Sequence, residues 1–176
     1  MATTAVTTAF PPPDLAALAA YFLGQWQFDR TIWEGSETPQ ATAVGSFDFI
    51  SGEVPGQLLY RERGQLRMLA GALGRPILFS RLFDYRFGAD RVAVLFADGE
   101  RVGQPYQSYL LRGNMLVPAA DHLCGPDCYN AAYTLDTEVS FTMETFISGP
   151  KKRTRVLTVA RRCRPEVGPE FSASPA

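Results

Sequence analysis

Trp26, Phe28, Arg30 and Ile32 occupy alternate positions, with Gln25, Gln27, Asp29 and Thr31 between them. On a strand every second side chain shares a face, so this spacing puts a guanidinium among two aromatic rings and an isoleucine. The arrangement recurs in Ile77, Phe79, Arg81, Phe83, Tyr85 and Phe87. Arginine keeps its charge at physiological pH, so on a buried face it requires a carboxylate, a cluster of carbonyls or an anionic ligand. Two such positions predict an all-β protein with a polar feature inside a cavity. The chemistry they offer is recognition of a carboxylate or phosphate.

The same parity extends along the chain. Leu58, Tyr60, Glu62 and Gly64 share a face opposite Arg61 and Arg63, which places Glu62 inside. Val92, Val94 and Phe96 form an inward set, as do Asp127, Tyr129, Ala131, Tyr133 and Leu135. Val139, Phe141, Met143 and Ile147 form another, while on the last strand Val156 and Leu157 compete for the inner face. The inferred interior holds Arg30 and Arg81 against Glu62, an excess positive charge that a bound acid would satisfy. Two structural alternatives stand beside this one. Arg30 and Glu62 could form an ion pair of their own, and Arg81 could reach the rim or pair with Asp127.

A second dense stretch runs Asp121-His122-Leu123-Cys124-Gly125-Pro126-Asp127-Cys128-Tyr129. His122, Cys124 and Cys128 have the donor types of a zinc site but not a familiar spacing, so no metal is expected. Cys124 beside His122 has the types of a nucleophile and its base, without an evident oxyanion hole. His122 is the only imidazole that could ligate haem. The plainer expectation is a hydrogen-bonded His122 at the barrel mouth, with Cys124 packed as a small hydrophobe. Phosphate loops and nucleophile elbows are absent, and Lys151, Lys152, Arg153 and Arg155 read as a solvated hairpin.

These residues must be positioned by strands. Pro11 to Pro13 and the N-cap Asp14 predict a short helix at 14–23, ended by Gly24. Strands are expected at 25–34, 41–50, 57–66, 76–87, 90–97, 104–112, 114–119, 128–136, 138–148 and 153–163, separated by turns such as Asp98-Gly99 and Gly149-Pro150. The stretch 65–74 fits either a strand or a helical turn. Such a meander closes into an up-and-down antiparallel β-barrel of 8–10 strands, with the helix capping one end. Residues 1–10 read as a flexible leader, 11–163 as one domain and 164–176 as a flexible tail.

The chain has 176 residues, a net charge of -1 and 46% apolar residues, enough for one cored domain and no basis for nucleic-acid or anionic-membrane binding. No apolar run approaches the ~20 residues that span a bilayer. Three cysteines and no recognisable secretory signal point to a cytoplasmic protein with reduced thiols. A monomer or homodimer is expected.

Leu23-Gly24-Gln25-Trp26 followed by Arg30 resembles the Gly-x-Trp opening of calycin barrels, which include lipocalins and fatty-acid-binding proteins. The ordered set continues with Gly45 and Phe47, then Leu59-Tyr60-x-Glu62-x-Gly64, Phe96-x-Asp98-Gly99, His122-x-Cys124-x-x-Asp127-x-Tyr129 and Gly149-Pro150-Lys151-Lys152. Over residues 23–162 the chain resembles an uncharacterised bacterial and fungal family of lipocalin-like domains. That family usually carries a histidine shortly after the Asp-Gly turn, where this chain reads Glu100-Arg101-Val102-Gly103. The resemblance implies a calycin-type barrel. Phycobilin lyases share that fold, so a tetrapyrrole lyase or chaperone is the alternative by analogy.

The expected function is non-covalent binding of a small, mostly apolar, anionic molecule without a cofactor. Arg30 and Arg81 would hold the acid, with Glu62 orienting Arg30. Tyr60, Tyr85, Tyr129 and Tyr133 would supply hydroxyls, and Trp26, Phe28, Phe79, Phe83, Phe96 and Phe141 the apolar wall. In the enzyme alternative His122 is acid or base, partnered by Glu62 or Asp127. A barrel filled solid by side chains would instead be an interaction module.

Overall fold

Alternating apolar and polar residues become, strand by strand, the inner and outer faces of one closed sheet. The computed structural model describes residues 9–69 and 74–163. One helix, α1 (Leu15–Phe22), precedes eleven strands: β1 (Gly24–Glu34), β2 (Ala41–Ser51), β3 (Gln57–Met68), β4 (Ile77–Phe87), β5 (Val92–Phe96), β6 (Pro105–Arg112), β7 (Met115–Pro118), β8 (His122–Cys124), β9 (Asp127–Thr137), β10 (Ser140–Gly149) and β11 (Lys152–Arg162). Consecutive strands from β1 to β7 pair antiparallel, β7 pairs with β9, and β9, β10 and β11 continue round to β1. Ten strands therefore close the ring and remove every long edge, while β8 pairs only with β9 as a short flap.

The expected strands are all present, and the sequence reading omitted β8. The ambiguous stretch resolves as strand through Met68; its residues 70–73 lie outside the described set, as do residues 1–8 and 164–176 of the expected leader and tail. On β11 the inner face belongs to Val156, with Thr154, Thr158 and Ala160. Val139 is a correction: it is exposed in the β9–β10 turn, outside any inward set. No helix among the described residues is long and apolar enough to cross a membrane.

Helix α1 closes one end. The Asp14 carboxylate accepts from the Ala17 N–H at 2.8 Å, capping the first turn. Its buried face carries Leu15, Leu18, Tyr21 and Phe22. Phe22 enters the barrel, its ring 5.0 Å from Phe49 and 5.3 Å from Phe141. Tyr21 donates to the Thr137 and Ser140 carbonyls of the β9–β10 hairpin. Arg162 donates to the carbonyls of Tyr21 and Leu23 and lies over the Trp26 ring at 4.3 Å. A guanidinium at the carbonyl end of the helix complements its dipole, so β1 and β11 both hold the plug.

Candidate functional site

Above that plug the interior divides into layers. The floor is packed aromatic core: Trp26 is fully buried, lies 4.9 Å from Phe141, and donates its indole N–H to the Phe22 carbonyl at 2.8 Å. Phe47 and Phe49 complete it.

One layer higher is the polar network that the alternating pattern predicted. Facing glycines Gly45 and Gly64 on β2 and β3 leave room for the Phe28 and Phe79 rings to lie against the wall. A Cβ on Gly64 would stand 2.5 Å from Phe79, and one on Gly45 would meet Phe28 and the Arg63 carbonyl. Arg30 rests on the two rings, 4.6 Å from Phe28 and 5.7 Å from Phe79. Its Nε donates to Thr158 Oγ1 at 2.9 Å and its Nη1 to Glu62 Oε1 at 2.8 Å. Tyr60 donates to the other Glu62 oxygen. Arg30 and Glu62 are 6% and 2% exposed. Among the described residues no buried side-chain polar atom lacks a partner.

Charge states follow from this geometry. Burial alone would raise the Glu62 carboxyl, but the adjacent Arg30 outweighs it and holds the group below its ordinary value. Burial likewise works against Arg30, and Glu62 reverses the effect. Burial and then the Glu62 charge push the Tyr60 phenol well up. Tyr85 and Tyr133 share a 2.8 Å hydrogen bond, and burial raises Tyr85 strongly and Tyr133 to about 12. The deep network is thus a neutralised ion pair among un-ionised phenols.

Between the network and the open end lies a cavity of about 310 Å³. Its wall includes Tyr60, Phe79, Phe83, Tyr85, Tyr129 and Tyr133, with an aliphatic upper part of Ile32, Leu66, Ile77, Ile147 and Val156. Arg30, Glu62 and Arg81 also face it. The barrel is therefore hollow rather than solid. An outer cleft of about 580 Å³ shares Arg81, Phe83, Tyr106 and Tyr129 with the cavity, which makes it the mouth.

Arg81 stands opposite Glu62 in the β3–β4 register but is exposed at the mouth. Among the described residues it forms no salt bridge, so the alternative pairing with Asp127 is not present. Phe96 and His122 line the outer cleft, not the cavity, whereas Trp26 and Phe141 belong to the floor and Phe28 supports Arg30. Asp127 opens β9, opposite Cys124 and against Gly149. The aromatic neighbours of His122 are Phe96, Tyr106 and Tyr129, and no hydrogen bond joins it to Glu62 or Asp127. Burial and then Arg101 lower the His122 pKa, so the imidazole is uncharged at neutral pH. Cys124, Cys128 and Cys163 are free thiols, and among the described residues no three His, Cys, Asp or Glu side chains form a metal-sized cluster.

Sequence reasoning missed Tyr106, Tyr109, Arg101 and Thr158. A register shift between Val94 and Leu95 leaves Tyr106 out of step with Gln107 and Tyr109, so parity alone could not turn both tyrosines inward. Thr158 was within reach once Arg30 was aligned with it across β1–β11. Nothing in the local sequence pointed to Arg101, which meets Cys124 across 23 positions.

Residues 22–162 match the family of unknown function DUF6314, and the chain belongs to that family. No curated protein sequence matches it. In fold the chain is similar to the S-type phycobiliprotein lyase CPES from Guillardia theta, with TM-score 0.63 and 10% identity over 87% of this chain and 94% of that one. It is also similar to a DUF3598-family protein of unknown function from Nostoc punctiforme, with TM-score 0.55 and 11% identity over 82% of this chain and 49% of that one. The barrel is thus calycin-like.

Proposed function

We propose that the barrel binds a small amphipathic acid, its apolar part in the cavity and its acidic group at the mouth against Arg81. The observation that carries this reading is the position of Arg81, an exposed guanidinium without a salt bridge among the described residues, where the cavity opens into the cleft. In this reading the two arginines do different work. Arg30 is answered by Glu62 and Thr158, so it shapes the cavity base; Arg81 is left to meet an incoming anion. A cavity of about 310 Å³ lies at the lower end of the ~300–1,000 Å³ typical of small-molecule sites.

Native mass spectrometry on protein from its own source would reveal a co-purified acid. Calorimetry with dodecanoate tests the reading directly: binding is expected, and Ala131→Phe, which fills the cavity wall, should abolish it in a folded barrel. Undiminished binding in that variant would place the ligand elsewhere.

A second reading, catalysis on the bound molecule, draws on the uncharged His122 imidazole in the cleft and on the lyase named for the CPES barrel. His122→Ala separates the two. Dodecanoate binding without loss of affinity supports the binder, and loss of turnover of a co-purified molecule supports a lyase or other enzyme.

A further inference from the structure

The outer cleft differs from the upper part of the cavity behind it. The cavity's upper wall is aliphatic, whereas the cleft carries the rings of Phe83, Phe96, Tyr106, His122 and Tyr129 among its polar residues, Phe83, Tyr106 and Tyr129 being shared with the cavity. Phe83 and Tyr106 stack with centroids 4.8 Å apart and planes at 26°. Phe96 meets Tyr106 edge-on at 5.2 Å, and His122 lies 5.0 Å from Tyr106. A flexible alkyl chain gains only contact area from such walls, while a flat conjugated ring also gains offset stacking and edge-to-face attraction.

The cleft also holds a second cation. Arg101, in the turn Gly99–Arg101, lies 3.9 Å over the Phe96 ring, and its Nη1 reaches Cys124 Sγ at 3.9 Å. Those contacts set the guanidinium over the Phe96 ring without neutralising it. Asp98 and Glu100 line the same cleft, yet among the described residues neither forms a salt bridge with Arg81 or Arg101. His122, uncharged at neutral pH, adds a further ring to the cleft.

We infer that the cleft recognises a flat conjugated acid, its ring against the Phe96–Tyr106–His122 faces and its acidic group between Arg81 and Arg101. This rests on the reading that Arg81 marks the binding mouth, and it adds the chemical class of the headgroup. Arg101 becomes the residue that selects planar over aliphatic acids, through its own planar guanidinium and the ring beneath it.

Calorimetry on the full chain tests this with 1-pyrenecarboxylate, the neutral 1-pyrenemethanol and dodecanoate as probes. The carboxylate is expected to bind more tightly than the alcohol. Arg101→Met should weaken 1-pyrenecarboxylate about fivefold, the scale of one solvent-exposed ion pair. It should leave dodecanoate unchanged. Phe96→Leu, which removes the supporting ring at similar volume, should act in the same selective way. Arg91→Met deletes the same charge beside Asp90, away from the cleft, and should alter neither acid.

Equal loss of both acids in Arg101→Met, or no loss of either, overturns the inference while leaving acid binding in place. Dodecanoate binding without 1-pyrenecarboxylate binding does the same. Binding of 1-pyrenecarboxylate alone supports the cleft and removes the aliphatic cavity reading. If neither acid binds the wild-type chain, both readings fall together.

Discussion

The two ends of this barrel use the same residue types for opposite purposes. At the plugged end, Arg162 and Trp26 make a closed unit: the guanidinium stacks on the indole, donates to helix carbonyls, and the indole N–H caps Phe22. At the mouth, Arg101 stacks on Phe96 in a similar way but meets only a thiol, and Arg81 beside it has no salt bridge among the described residues. An arginine on an aromatic ring is therefore structural when its donors end on backbone carbonyls of the element it secures, and available for recognition when they face a cleft. Stability should concentrate at the plug and selectivity at the mouth.

The largest effect should come from Trp26→Ala. Loss of a fully buried indole is expected to cost about 3–5 kcal/mol in urea unfolding. The folded fraction should bind acids as before, because Trp26 does not line the cavity. Equal damage to affinity would erase the division between the ends. Glu62→Gln, in the layer between them, should cost about 3 kcal/mol by leaving the Arg30 charge buried and unpaired. The double change Arg30→Met with Glu62→Leu should recover most of that loss, since apolar replacements of a buried pair are often tolerated.

Alkaline pH tests the neutral phenol layer. Tyr60, Tyr85, Tyr109 and Tyr133 all have raised folded values. In the unfolded chain they ionise near pH ~10. Stability is therefore complete below that pH and falls as pH rises towards the folded values, by about 1.4 kcal/mol per pH unit for each phenol still protected. Unfolding followed at increasing pH, with tyrosinate absorbance lagging until the transition, is the expected result. Arg81→Met, by contrast, should change stability by less than about 0.5 kcal/mol. It should weaken acid binding by up to about 1 kcal/mol, as expected for an exposed pair.

Period-two alternation carried most of this architecture because a strand with one buried face shows its register in plain residue types. Trp26-x-Phe28-x-Arg30 and Tyr60-x-Glu62 were legible for that reason, including the charged residues among them. β8 was not: three residues beside Gly125-Pro126 carry too little alternation to declare a face. On β11, adjacent Val156 and Leu157 erased the signal. The site was half visible. Parity could place Arg30 and Arg81 inward, but not the different depths at which Glu62 neutralises one and the mouth exposes the other. The Arg101–Phe96–Cys124 cluster depends on a turn folding back onto β8, a long-range event with no local pattern.

The smallest effect concerns His122, and it sharpens the contrast between the ends because protonation alters only the mouth. Burial and Arg101 hold the folded imidazole below its ordinary value. The unfolded chain therefore takes up the proton first, and stability declines as pH falls through the ordinary imidazole range towards the lowered folded value. Acid binding should move the other way. An anion in the cleft favours the imidazolium, so by linkage affinity rises over the same fall in pH. With 1-pyrenesulfonate, whose charge does not titrate, calorimetry between about pH 8 and pH 5 should show a rise of roughly twofold, the scale of one more exposed charge. His122→Phe keeps a ring face in place and should flatten the profile without weakening binding at pH ~8. An unchanged slope in that variant would remove His122 from the mouth's electrostatics and leave Arg81 and Arg101 to account for the acid alone.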